Sequence, residues 1–205
     1  MELSPRAALE RAAQQPEFVD LTHLANVKVD LRYGTTNNLL GLDVYGGYQR
    51  ILLHRVAAQK FEVASRLLAE RHPGLRFLVL DALRPQTAQR KFWALVAGTA
   101  QQPYFADPAK GSIHSFGFAI DLTLVDGDGL ELPMGTEFDD LSPLAEPRRE
   151  EEFLREGKLS PQALANRHTL REIMAGAGFI PLPHEWWHFD ALSPAEVRAS
   201  YRIVE

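Results

Sequence analysis

Asp121 lies in a run that otherwise belongs in a protein interior, Phe116-Gly-Phe-Ala-Ile-Asp121-Leu-Thr-Leu-Val125. The run is short and apolar, and the turn signal Asp126-Gly-Asp-Gly129 closes it, so it reads as a core strand. A carboxylate in such a strand is expensive to bury unless it is paired, caps a nearby backbone group or binds a metal. The fold must therefore supply Asp121 with partners.

Two short stretches offer them: Ser112-Ile-His114, just upstream, and Glu185-Trp-Trp-His188. Together with Asp121 they provide two imidazoles, one carboxylate with apolar neighbours, and a second carboxylate three residues before the last histidine. That is the inventory of a hydrolytic zinc site: three protein ligands, an open position for water, and a base for the water's proton. Any one of the seven histidines, taken alone, is more simply a surface or structural residue. The unusual local sequences around His114 and His188 set these two apart. A helical turn would bring Glu185 and His188 to one side, whereas an extended segment would have to bend. Pro181 and Pro183 argue against a long helix there, leaving a single turn or a bulged strand entry. Trp186 and Trp187 read as core anchors that can also keep water from a metal.

Other chemistries fit less well. The absence of cysteine excludes disulfides, thiolate metal sites and cysteine nucleophiles. There is no Gly-x-Ser-x-Gly elbow for a serine hydrolase, no His-Glu-x-x-His run and no phosphate-binding glycine loop. A triad of Ser112, His114 and Asp121 would be a coincidence of spacing. With a formal net charge of −5 and scattered basic residues, the chain shows no stripe for nucleic acid. No apolar run approaches the roughly 20 residues of a membrane helix. The charged N-terminus lacks the apolar core of a secretory signal, which predicts a cytoplasmic protein, with the periplasm as the alternative.

At 205 residues, 45% hydrophobic and 24% charged, the chain suits one soluble α+β domain spanning residues 1–205. Ser4-Pro5 opens a short helix that Pro16 stops. Phe18–Thr22 and Val27–Tyr33 read as strands, and Gly34–Tyr48 as loop. Ile51–Arg71 has helical spacing, ended by His72-Pro73-Gly74. Leu75–Leu80 reads as a buried strand, Pro85 opens a second helix to about Gly98, and Pro103–Gly111 is loop. Ser160-Pro161 opens a third helix, with Gly176 and Gly178 where a C-cap belongs. Ser142–Glu156 is the best boundary candidate, but a division there would split the proposed site. Phe189–Glu205 is read as a C-terminal tail.

The pattern Ser112-x-His114-x-x-Gly117-x-Ala119-x-Asp121 with Glu185-Trp-Trp-His188 resembles the zinc D-Ala-D-Ala dipeptidases of the vancomycin-resistance type. These are related in fold to the D-Ala-D-Ala carboxypeptidases and the hedgehog signalling domain. Asp81-Ala-Leu-Arg84-Pro85, Leu31-Arg-Tyr33-Gly-Thr-Thr-Asn-Asn38, Pro133-Met-Gly-Thr-Glu-Phe-Asp139 and Asn166-Arg167 extend the likeness from about Val19 to Phe189. The resemblance implies a small, mainly antiparallel sheet flanked by helices, and one zinc ion per chain on His114, Asp121 and His188. It implies Glu185 as general base and later acid, and Arg84 facing the carbonyl oxygen. Asp139 and Tyr33 would hold the substrate's ammonium, and Ser112 would lie near its carboxylate. Without the resemblance, Arg84 reads equally as a surface arginine and Asp139 as an acidic turn residue. The implied partner is a small dipeptide, with homo-oligomerisation left open. The implied roles are cell-wall dipeptide turnover and antibiotic resistance. Ile113, Leu83, Phe116 and Phe118 depart from the best-known members without removing a ligand or the base, and bear on pocket shape. A peptidoglycan D,D- or L,D-carboxypeptidase with the same zinc chemistry and a non-catalytic zinc-binding domain are the competing readings.

Overall fold

A computed structural model describes residues 2–99, 102 and 106–205. Of the loop expected over Pro103–Gly111, residues Pro103, Tyr104 and Phe105 lie outside the described residues, and 106–111 carry no helix or strand.

The elements follow in the order α1 (Pro5–Ala12), β1 (Phe18–Asp20), β2 (Val27–Val29), β3 (Leu52–His54), α2 (Arg55–Arg71), β4 (Arg76–Asp81), α3 (Gln86–Val96), β5 (Ala119–Val125), α4 (Glu150–Arg155), α5 (Pro161–Gly176), β6 (Ile180–Pro181), β7 (His188–Asp190) and α6 (Pro194–Ser200). Five strands form one sheet in the order β2-β4-β5-β7-β6, and β1 pairs with β3 in a separate small one. In the larger sheet only β2–β4 is parallel, so the sheet is mixed but mainly antiparallel, as expected. All seven residues of β5 are buried. Phe77 and Val79 of β4 face the main core with Phe61 of α2, whereas Leu78 and Leu80 join Val125 in a smaller cluster against Phe138.

Local chemistry explains the helix boundaries. The Ser4 and Ser160 hydroxyls accept from Ala7 N and Ala163 N, with proline at the first helical position of α1 and α5. Gly178 follows α5 at φ +86°.

Several expectations need correction. The strand from Val27 stops at Val29, and Arg32–Gly34 forms a 3-10 turn that buries Tyr33. The helical pattern from Ile51 conceals a strand, because Leu52–His54 pair with Phe18–Asp20 before α2 begins. No helix breaker separates the two, so periodicity alone could not divide them. The boundary candidate at Ser142–Glu156 holds α4, which packs beside α5. The C-terminal tail contains α6, closed by a capping box between Ser193 and Glu196.

Arg167 of α5 ties down the segment that carries Asp139. Its fully buried side chain donates from Nε to Met134 O at 2.6 Å and from both Nη atoms to Leu144 O at 3.1 Å. Glu150 lies 3.5 Å from its Nη1, and Asn166 Nδ2 donates to Pro133 O at 2.8 Å. Removing this cation leaves buried carbonyls and part of a buried charge without partners. Arg167→Ala should therefore lower unfolding free energy by about 3–5 kcal/mol, read from urea melts. A loss below about 1 kcal/mol would show that water replaces the guanidinium at little cost.

Candidate functional site

The sheet register assembles the centre. Asp81 at the end of β4 pairs with Asp121 of β5, and Asp121 pairs with His188 at the start of β7. Residues far apart in sequence thus become cross-strand neighbours. A backbone bond from Leu122 N to Trp187 O, 3.1 Å, fixes the approach of the Glu185–His188 segment, which is a turn leading into β7. This is the single-turn entry that the flanking prolines allowed.

His114 arrives from a 3-10 turn, Ile113–Phe116, ended by Gly117 in the left-handed region at φ +75°. A Cβ on Gly117 would come within 2.9 Å of His54 N and 2.8 Å of the Phe18 ring. Glycine is therefore required both by conformation and by space.

Three donors converge. His114 Nε2 lies 3.2 Å from His188 Nδ1 and 3.3 Å from Asp121 Oδ2, and His188 Nδ1 lies 3.0 Å from Asp121 Oδ1. All three residues are buried, and they form a group that could hold a metal ion. Donors about 2.0–2.1 Å from a tetrahedral zinc are roughly 3.3 Å apart, so the spacing fits. The outer nitrogens agree. His114 Nδ1 is 2.7 Å from Ala82 O, a pure acceptor, and His188 Nε2 is 2.9 Å from Asp190 Oδ1. If each outer nitrogen carries a proton, the inner nitrogens present two bare lone pairs to each other and to a carboxylate. A cation between them relieves that repulsion, and oriented outer partners are the usual setting of metal-bound histidines. A proton is the competing solution. Burial opposes charge on His188, but hydrogen bonds to Asp121 and Asp190 hold its imidazole well above the usual histidine range. Burial likewise opposes ionisation of Asp121, yet the two imidazoles keep its carboxyl well below the ordinary value. A metal would displace the proton from the same lone pair.

The surrounding groups occupy distinct positions. Arg84 donates to Asp81 through Nε and Nη2 at 2.8 and 2.7 Å, and its Nη2 lies 3.6 Å from Asp121. Its guanidinium also rests over Tyr33 and Phe92, 5.1 Å from each ring centroid. It is thus a fixed, largely enclosed cation, its side chain 11% exposed, and not the surface arginine that local sequence allowed. Glu185 stands outside the trio, with Oε2 3.9 Å from His188 Nδ1 and its side chain a quarter exposed. Burial pushes its carboxyl above the usual value, with the charge of Asp121 adding to the effect and His188 opposing it. Tyr33 donates its hydroxyl to Asp139 Oδ2 at 2.8 Å. Asp139 has φ +61°, the one described non-glycine residue with positive φ, an uncommon conformation that marks a constrained side chain. Burial raises its carboxyl to about 7.

Tyr33, Arg84, Ser112, His114, Asp121, Asp139, Glu185 and His188, all singled out in the sequence, line one cleft of about 260 Å³. A Ser112–His114 dyad is not formed, since both nitrogens of His114 face other groups. Two contributors escaped the sequence reading. Asp190 could have been found by strand alternation, because it shares the face of His188. Asp81 also accepts from Tyr45 at 2.8 Å, a contact with no local sequence signal.

A buried His–Asp–His trio that could hold a metal ion, with a carboxylate beyond it at the wall of a small cleft, is the donor set expected of a metallohydrolase. The peptidase M15 family model, described as D-Ala-D-Ala dipeptidase, matches residues 14–203, and the chain belongs to this family of metallopeptidases. It is 35% identical over 175 residues to the D-alanyl-D-alanine dipeptidase of Escherichia coli K12, covering 85% of this chain and 84% of that protein. It is 33% identical over 181 residues to the enzyme of the same name from Enterococcus faecium, covering 80% and 85%. A third relative of that name, from Synechocystis, is 31% identical over 71% of each chain. No described helix is long and apolar enough to cross a membrane.

Proposed function

We propose that this chain hydrolyses free D-Ala-D-Ala to two D-alanines, with one zinc ion held by His114, Asp121 and His188 and with Glu185 as general base. The observation that carries the reading is the convergence of three buried donors 3.0–3.3 Å apart with Glu185 beside them. Zinc, when bound, supplies Lewis acidity and lowers the pKa of water toward about 7.

The side chains divide the remaining work. Glu185 takes the proton of the attacking water, and its raised affinity for protons suits it to hold that proton and return it to the leaving amine. The water oxygen first adds to the carbonyl carbon, and the C–N bond breaks as that adduct collapses, with the proton held by Glu185 passing to the departing nitrogen. Arg84, anchored by Asp81, offers fixed positive charge to the carbonyl oxygen as negative charge grows there. Asp139, oriented by Tyr33, receives the substrate's ammonium. Ser112, buried beside His114, lies on the carboxylate side of the substrate. Trp187 is buried against Phe138 and keeps that wall apolar. A cleft of about 260 Å³ falls below the roughly 300–1,000 Å³ of drug-sized pockets, which favours a dipeptide over a wall polymer.

The test compares zinc-loaded protein on D-Ala-D-Ala, L-Ala-L-Ala and a muramyl pentapeptide. Preference for the first is expected. Preference for the pentapeptide would move the assignment to a carboxypeptidase, and zinc binding without turnover of any of them to a non-catalytic domain.

Asp139→Asn should mainly raise KM for the free dipeptide, and the parent should cleave N-acylated dipeptide poorly. Equal cleavage of free and acylated substrates would remove the ammonium clamp. A second readout follows from linkage in metal-free protein. The folded carboxyl titrates near 7 and the unfolded one near 3.8, so between these values the folded state keeps a proton that the unfolded state has lost. The stability this contributes falls as pH rises through that window. Asp139→Asn lacks the titration, so its Tm relative to the parent should climb from pH 5 to 7 and level off near pH 8. A flat difference would show that Asp139 titrates at its ordinary value.

A further inference from the structure

We infer that Arg198 is a specificity-determining residue that binds the substrate's free C-terminal carboxylate. The inference rests on the dipeptidase reading and extends it to a residue that no motif marks. Hydrolysis of a free dipeptide needs a cation for that carboxylate as well as an anion for the ammonium. The described cleft lining contains four carboxylates, Asp121, Asp139, Glu185 and Asp190, and two cations, Arg84 and Arg198. Arg84 is committed, since two of its nitrogens bind Asp81.

Arg198 projects from α6 and is held by backbone alone. Its Nε donates to Lys110 O and its Nη2 to Gly111 O, each at 3.2 Å, and among the described residues no carboxylate pairs with it. These carbonyls belong to the two residues before Ser112, so the guanidinium borders the Ser112 side of the cleft. A guanidinium carries five N–H donors, and the edge bearing Nε is the one engaged here. The Nη1–Nη2 edge keeps the parallel N–H pair that fits a carboxylate with two hydrogen bonds.

The mounting is firm enough to aim the group. The capping box closes the start of α6, Val197 is buried, and Val204 N donates to Ser115 O at 2.9 Å in the turn that carries His114. Gly111, at φ +73°, lies so close to the tail that a Cβ would meet Ile203 at 2.6 Å. The loop receiving Arg198 and the tail after it are thus locked together. The arginine itself is exposed, so solvent moderates its effect.

The experiment measures kcat/KM of the zinc-loaded full chain, Arg198→Ala and Arg198→Lys on D-Ala-D-Ala and on its C-terminal carboxamide. Arg198→Ala is expected to lose about 10–100-fold on the acid, chiefly through KM, and less than about threefold on the amide. Lysine should restore part of the loss. Equal losses on both substrates would reduce Arg198 to a strap for the 110–111 backbone and overturn the inference, as would an unchanged KM for the acid. Calorimetric binding of the dipeptide keeps the two readings apart. A parent that binds but does not cleave contradicts the dipeptidase reading, while weaker binding by Arg198→Ala still supports the carboxylate contact. A parent that neither binds nor cleaves overturns both.

Discussion

Glu185→Ala is expected to retain one zinc per chain while turnover falls at least 10²–10⁴-fold, the range that general acid–base catalysis contributes. The carboxylate stands 3.9 Å from His188 Nδ1, beside the group of donors that lie 3.0–3.3 Å apart. Under the proposed mechanism its removal takes away the proton carrier and leaves the three proposed ligands in place. Metal analysis and steady-state kinetics on one preparation separate these effects. A variant with full zinc and full activity would exclude Glu185 as the base. A variant that loses zinc would make it a ligand.

His188→Ala should lose both metal and turnover. His188 is one of the three proposed donors, so its loss would leave His114 and Asp121, too few to fill a three-ligand site. Asp190 provides an internal comparison, because it touches only the outer nitrogen, at 2.9 Å. Asp190→Asn should weaken zinc on the order of 10–100-fold, the usual effect of changing an outer partner, and His188→Ala should weaken it further. Unchanged zinc content in His188→Ala would remove that residue from the ligand set. Equal losses in the two variants would mean that Asp190 does more than orient the ring.

Much of the site was legible because its chemistry is written in short local patterns. An aspartate inside an apolar strand needs compensation wherever that strand lies, and two histidines in unusual contexts were the candidates to provide it. Helix starts at Ser4-Pro5 and Ser160-Pro161 were equally local, since a cap needs only its own hydroxyl and the next turn. Other features were not local. The strand at Leu52–His54 exists because β1 lies beside it, and its residues satisfy a helical period just as well. Helix α6 carries a local signal, Ser193-Pro194 with Glu196, inside the segment that reads as a tail.

The sequence by itself determined which side chains can do the chemistry: Asp121, His114, His188 and Glu185 are recognisable from charge, burial expectation and spacing. Only the tertiary structure decided how they meet. The register Asp81–Asp121–His188 depends on pairing between three strands distant in the chain. The left-handed backbone at Asp139 depends on a segment held by Arg167 from another helix. The free edge of Arg198 depends on two carbonyls across a loop. Residue type sets what a group can bind, but distance and desolvation set whether it does, and both arise from contacts that no local pattern encodes.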